Sequence, residues 1–241
     1  MEKIFRTYIN KEQMAKELAA DIAKQAQNAI AQRGVFSLFL AGGSSPRLLH
    51  KLLAKNEQSP SIDWSKVHLF WGDERVVAKE HKESNFGIAC QDLVDEIAIP
   101  QDNVFPMVLA RESGEEAAAR YEKLLQDHLS HYSFFDLVIL GVGTDGHTAS
   151  LFPGTEALEV KGQLVTTGYA PESASIRERV TLTYEAFMKA QNVYFLVAGK
   201  GKAEVLKALK TDGEKAPYPS AKVRAKERLV FHVDGETLGE R

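Results

Sequence analysis

A chain of 241 residues accommodates one α/β domain or two small ones. Its 44% hydrophobic and 26% charged residues give the balance of a folded globular protein rather than a disordered or fibrous one. A net charge of −3 argues against a general nucleic-acid binder, which carries a basic surplus.

The opening residues Met1, Glu2, Lys3, Ile4 and Phe5 lack the basic-then-apolar order of a signal peptide. Residues 11–31 form the first predicted helix, with Met14, Leu18, Ile22, Ala26 and Ala29 on one face. Asn10 and Gln13 open it as a variant capping box. A strand over 35–40, a helix over 46–55 and a strand over 67–71 follow. Helices over 85–97 and 115–128 then precede a strand beginning at Leu137. Cys90 falls among apolar helix positions and reads as a packed, inert thiol; a lone cysteine also excludes an internal disulfide and a thiolate-rich metal site.

Later strands are predicted at 164–169, 180–183, 193–197 and 229–233, with a helix over 202–210. Residues 153–161, 171–178 and 211–220 read as loops without linker composition. No apolar run approaches the roughly 20 residues needed to cross a bilayer. Strand–helix alternation of this kind predicts one domain over 1–241 of the α/β class. Its expected form is a three-layer α/β/α architecture, a mostly parallel Rossmann-like sheet with helices on both faces.

Three strand ends carry the candidate chemistry. Leu40-Ala41-Gly42-Gly43-Ser44-Ser45-Pro46 lies between an apolar strand and a helix. Glycines there expose backbone N–H groups, the helix start adds partial positive charge, and the two serines offer hydroxyls, a combination suited to phosphate. The alternative is a capped helix start that needs tight turns. The pattern is neither a P-loop nor Gly-x-Gly-x-x-Gly, which disfavours a dinucleotide.

Phe70-Trp71-Gly72-Asp73-Glu74-Arg75 sets acid and base together at a second strand end. Arg75 has the planar fork to grip a phosphate, and Asp73 a carboxylate to position a base or a sugar hydroxyl. A surface ion pair is the competing reading. Asn85 begins the next helix, either as its N-cap or as an amide for the same site.

The third segment is the most informative. An apolar run, Leu137-Val138-Ile139-Leu140, reads as a buried strand and enters a turn containing Gly141, Gly143 and Gly146. Asp145 and His147 are delivered there, at the carboxyl end, where open α/β sheets place ligands. A histidine in that position moves a proton near neutral pH. Among the other histidines, His128 and His131 alone are spaced as a pair. They end a helix, where cations are favoured, so no metal site is expected. Arg179 at the start of one strand and Lys202 at another strand-to-helix turn read either as phosphate partners or as part of a basic surface.

In this order the segments resemble the 6-phosphogluconolactonase family. The matching pieces are Gly42-Gly43-Ser44-Ser45-Pro46, Asp73-Glu74-Arg75 with Ser84-Asn85, the stretch from Gly141 through His147 to Pro153, Arg179-Val180-Thr181-Leu182-Thr183, and Lys202-Ala203. The resemblance implies hydrolysis of 6-phosphoglucono-1,5-lactone to 6-phosphogluconate in the pentose phosphate pathway, without a cofactor. It implies one α/β/α domain of the fold shared with glucosamine-6-phosphate deaminases and ribose-5-phosphate isomerases. His147 would be the catalytic base and Asp145 would position it. Gly42, Gly43, Ser44, Arg75 and Lys202 would surround the phosphate, with Asp73, Asn85 and Arg179 completing the substrate set.

The expected partner is a small sugar-phosphate lactone, with no nucleic acid and no membrane, bound by a cytoplasmic monomer or weak homodimer. Ser45 stands where the family commonly has threonine, and residues 171–179 lack the prolines often found before that arginine. Deaminases of this fold carry tyrosine after Asp-Glu and an Ile-Ala-Phe-Asn-Glu continuation after their histidine. Arg75 and Thr148-Ala149-Ser150-Leu151-Phe152 stand here instead, which favours the lactonase over a deaminase or isomerase. A non-enzymatic sugar-phosphate sensor would need an appended DNA-binding segment.

Overall fold

The computed structural model describes residues 3–57 and 60–239; Met1 and Glu2, which enter the signal-peptide reading, lie outside the described residues. Six strands pair in the order β1 (Lys3–Tyr8), β9 (Arg228–Asp234), β8 (Ala190–Val197), β5 (Phe135–Gly141), β2 (Phe36–Leu40) and β3 (Val67–Trp71). Every pairing is parallel. β2 is buried at each residue and β5 at all but its last, the continuity that a strand covered on both faces requires. β1 at the edge mixes exposed and half-buried residues up to its one buried residue, Tyr8. It therefore lacks the apolar run by which the other strands are read, and the sequence predicts no strand before the first helix.

From β1 the chain passes through α1 (Lys11–Arg33) to β2 and through α2 (Pro46–Lys55) to β3, travelling toward one edge. It then returns through α4 (Gly114–Tyr132) to β5, and onward past α5 (Tyr184–Phe187) to β8, α6 (Ala203–Thr211), β9 and α7 (Gly235–Leu238). Right-handed crossovers that reverse direction put α1 and α2 on one face and α4 and α6 on the other. The predicted three layers follow. The reversal also leaves β2 and β5 as neighbours whose outgoing connections diverge, opening a crevice at their carboxyl ends.

α1 starts as its sequence indicates. The Asn10 side chain accepts from the Gln13 N–H at 2.8 Å, and the Gln13 side chain returns a bond to the Ile9 N–H at 2.8 Å, one residue before the cap itself. Phe39 stacks on Phe70 and meets Phe135 edge-on, both at 4.7 Å between ring centroids. The Tyr121 hydroxyl on α4 accepts from the backbone N–H of Trp71 at 2.9 Å, fixing the end of β3 where the chain leaves the sheet.

Three expectations are corrected. Residues 164–169 and 180–183 do not join the parallel sheet. They form β6 (Val165–Tyr169) and β7 (Glu178–Leu182) of a separate antiparallel sheet ordered β4-β7-β6, where β4 is Asp73–Arg75. The helix expected over 85–97 ends early: α3 (Asn85–Asp92) stops where Leu93 leaves helical geometry at φ −148°, and a 3-10 turn takes Val94–Glu96. His128 is not a helix-end cation. It is 6% exposed against Phe70 and Phe135, and burial, with the charges of His68 and His131, pushes its pKa down to about 4.

Candidate active site

The crevice between β2 and β5 holds a cavity of about 330 Å³. Of the residues singled out from sequence, Gly42, Gly43, Ser44, Asp73, Arg75, Asn85, His147 and Lys202 all line it. Asp145 stands behind His147, and Arg179 faces Arg75 across the β4–β7 pairing; neither lines the cavity.

The turn after β2 brings the start of α2 to the cavity. A Cβ on Gly42 would fall 2.0 Å from Asn85 Oδ1, so only glycine lets α3 seat against this turn. Ser45 takes helical angles and makes no capping bond, with Pro46 at the first helical position. The capped-start reading of the serines therefore fails, and the Ser45 hydroxyl is not spent on the helix.

Strand alternation sorts the second segment. Asp73 and Arg75 face the cavity while Glu74 between them is buried at 2% exposure. Its carboxylate accepts the backbone N–H groups of Arg75, Asn85 and Phe86 at 2.7, 2.8 and 2.7 Å and the Ser84 hydroxyl at 3.2 Å. Burial raises Glu74 to about 6 even against those donors. Sequence reasoning missed this role, because its donors are main-chain groups of a helix start that no side-chain pattern reveals. Ser84, not Asn85, caps α3, its hydroxyl accepting from Gly87 N–H at 3.0 Å. That leaves the Asn85 amide for the site.

Asn85 Nδ2 donates to the Asp73 carbonyl at 2.9 Å, while Asn85 Oδ1 is buried without a protein partner. Asp73 accepts the Ser150 hydroxyl at 2.6 Å, and Ser150 N–H in turn donates to Thr181 Oγ1 at 3.1 Å. Ser150 thus ties the histidine turn to two strands of the small sheet, β4 at its edge and the central β7, a link invisible in sequence. Arg75 donates from Nη1 to the Glu83 carbonyl at 2.6 Å, and its Nε is buried and unpartnered. The surface ion-pair reading of Asp73 and Arg75 is not what forms, since each has other partners. Arg179 is 5% exposed with Nη1 unpartnered; burial, reinforced by the Arg75 charge, lowers its pKa.

After β5 the chain closes on itself through Gly146 N–H to Gly143 O at 3.0 Å and Gly143 N–H to His147 O at 2.9 Å. His147 Nδ1 lies 2.6 Å from Asp145 Oδ1. The ring rests on Phe152 with centroids 4.5 Å apart. Burial alone would raise Asp145, but the hydrogen bond and charge of His147 outweigh it and hold the carboxyl below its ordinary value. Ala149, also on the cavity wall, sits at φ 48°, a left-handed position that costs a non-glycine residue on the order of 1 kcal/mol.

Lys202 ends the 3-10 turn Lys200–Lys202 ahead of α6. Burial lowers its pKa, Asp234 opposes that shift and Lys11 adds to it. Among the described residues no group of three or more His, Cys, Asp or Glu side chains is placed to hold a metal ion, and no helix is long and apolar enough to cross a membrane. Cys90 is 2% exposed and burial pushes its thiol pKa up, as expected of a packed cysteine.

The cavity can therefore present a carboxylate-oriented imidazole, cationic side chains and a helix start to one small anionic ligand. A sequence profile described as "Glucosamine-6-phosphate isomerases/6-phosphogluconolactonase" matches residues 9–231. A 6-phosphogluconolactonase of Synechocystis sp. is 35% identical over 238 residues, 95% of this chain and 96% of that one. Another from Haemophilus influenzae is 39% identical over 191 residues, 78% and 79% of the two chains. The crystal structure of a 6-phosphogluconolactonase from Thermotoga maritima superimposes with a TM-score of 0.84 at 28% identity, over 97% of this chain and 100% of that one. On these matches and this fold, the chain belongs to the family of glucosamine-6-phosphate isomerases and 6-phosphogluconolactonases.

Proposed function

We propose that this chain hydrolyses 6-phospho-D-glucono-1,5-lactone to 6-phospho-D-gluconate, the lactonase step in the oxidative branch of the pentose phosphate pathway. It acts as a single catalytic domain over 1–241, in the cytoplasm, without a cofactor, as a monomer or weak homodimer. The observation that carries the reading is the meeting of His147, Arg75, Lys202 and the Gly42–Ser44 turn in one cavity of a size suited to a small ligand.

The phosphate docks on the exposed N–H groups of the glycine turn and the start of α2, with Arg75 and Lys202 supplying positive charge. Asp73 and the unpartnered Asn85 Oδ1 accept sugar hydroxyls, and Arg179, opposite Arg75 on the neighbouring strand, adds a second guanidinium charge that an anion between them would offset. Anchoring at the remote end fixes the lactone carbonyl near His147 and removes part of the entropic barrier.

Asp145 holds the Nδ1–H of neutral His147, leaving the Nε2 lone pair toward the cavity. Nε2 takes a proton from water while the water oxygen bonds to the carbonyl carbon, and the carbonyl electrons move to oxygen. Cavity N–H donors or cations stabilise that oxyanion. As it collapses, the ring C–O bond breaks and His147 returns its proton to the departing ring oxygen. Fresh phosphogluconolactone mixed with the protein should release acid faster than it does spontaneously. A rate equal to the spontaneous one overturns the reading.

A further inference from the structure

We propose that Lys11, in the first turn of α1, is a further phosphate-binding residue that places a second ammonium group over the Ser44 turn. This rests on reading the cavity as a sugar-phosphate lactone site. Lys11 is distant from that turn in sequence and does not line the cavity, and its helix reads from sequence as purely structural.

The geometry is specific. Lys11 Nζ donates to the carbonyl oxygen of Ser44 at 3.3 Å, a bond to a neutral acceptor that uses one of its three N–H donors, and among the described residues it forms no ion pair. Ser44 is itself part of the glycine turn on the cavity wall. Lys11 is also the first residue of α1. A cation there sits at the positive end of the helix dipole, so helix stability gives no reason for it.

A second ammonium, Lys202, reaches the same wall, and the charge of Lys11 is felt there. Two like charges brought toward one turn disfavour each other until an anion joins them. A phosphate monoester carries close to two negative charges at neutral pH and offers three acceptor oxygens. One oxygen set can then be met by the turn's N–H groups and Lys202, and another by Lys11 at the rim.

Lys11→Gln keeps an N–H donor on a side chain one bond shorter and removes the charge, while Lys11→Arg keeps the charge. We expect Lys11→Gln to raise KM for phosphogluconolactone about tenfold, the scale of one charge-assisted hydrogen bond. Competitive inhibition by 6-phosphogluconate should weaken to a similar degree. The ratio of kcat/KM for the phosphorylated over the unphosphorylated lactone should fall about tenfold, and Lys11→Arg should recover most of the loss. An unchanged KM in Lys11→Gln overturns the proposal, as does an equal loss on both lactones, which would mean Lys11 only braces the Ser44 turn. A wild-type protein inactive on the phosphorylated lactone would instead remove the proposed function itself.

Discussion

One oxygen of Asp145 serves His147 twice: Oδ1 lies 2.6 Å from the ring Nδ1 and 3.1 Å from the backbone N–H. The carboxylate therefore fixes both the position of the residue and the rotation of its ring. The other ring nitrogen takes no part in this pair. Replacing His147 with Ala should lower turnover by roughly 10²–10⁴, the usual contribution of a general base. The side chain is 32% exposed, so the fold should survive, which circular dichroism checks. Turnover near that of the wild type removes His147 from the mechanism.

Asp145→Asn keeps the size of the side chain and removes its charge and its acceptor preference. Turnover should fall by about 10- to 100-fold, the scale seen when an orienting partner of a functional histidine is lost. Thermal stability should change little, because both members of the pair are partly exposed. If kcat is preserved, the orientation of the ring does not depend on this carboxylate.

Gly143→Ala tests the same pair from the backbone side. The added Cβ would stand 2.1 Å from His147 Nδ1 and 2.5 Å from Asp145 Oδ1, well inside any tolerated contact. The histidine must then move, and kcat should drop at least tenfold even though no functional group is deleted. A variant with full turnover contradicts the tight placement of the imidazole.

Arg75→Ala should act on binding. KM for the phosphorylated lactone should rise by about tenfold or more, as expected on losing a charged, forked donor. Hydrolysis of glucono-1,5-lactone, which has no phosphate, should be much less affected. Equal damage to both substrates would move Arg75 from anchoring to shaping the cavity.

Acid should destabilise the protein. His50, His128 and His232 are each pushed down to about 4, in every case chiefly by burial. The unfolded chain binds their protons more tightly, so the stability they contribute is complete above the ordinary value of 6.5 and is lost as pH falls toward 4. Each site is worth at most about 3 kcal/mol. Glu74, raised to about 6, works the other way: its contribution is full below its ordinary 4.5 and lost as pH rises through 6. Three sites outweigh one, so the urea midpoint should be lower at pH 5 than at pH 7. The reverse order would show that the imidazoles are accessible to protons in the native state.

Much of the architecture was legible because buried parallel strands write themselves as unbroken apolar runs, and because such strands end in the glycine turns where ligands sit. β2, β3 and β5 and the groups after them could be placed on that basis. β4 could not. Asp73-Glu74-Arg75 has no apolar content and owes its extended form to pairing with β7, far along the chain. The same distance hides Ser150 from Asp73 and Lys11 from Ser44. His128 was misread because its surroundings come from β3 and β5 as well as from its own helix. Local pattern reports the covered face of an element and says little about which remote group will arrive beside it.

His147 follows β5 of the parallel sheet, whereas Arg75 and Asp73 ride on the separate antiparallel one, with the Ser150 hydroxyl reaching Asp73 and the Leu182 N–H donating to the Gly72 carbonyl where the two meet. On the proposed reading, the groups that hold the sugar phosphate come from both sheets: the Gly42–Ser44 turn and Lys202 follow strands of the parallel one, Asp73 and Arg75 belong to the small one. Changes to the small sheet would then alter only part of that hold, and would reach the histidine turn through the Ser150–Asp73 bond.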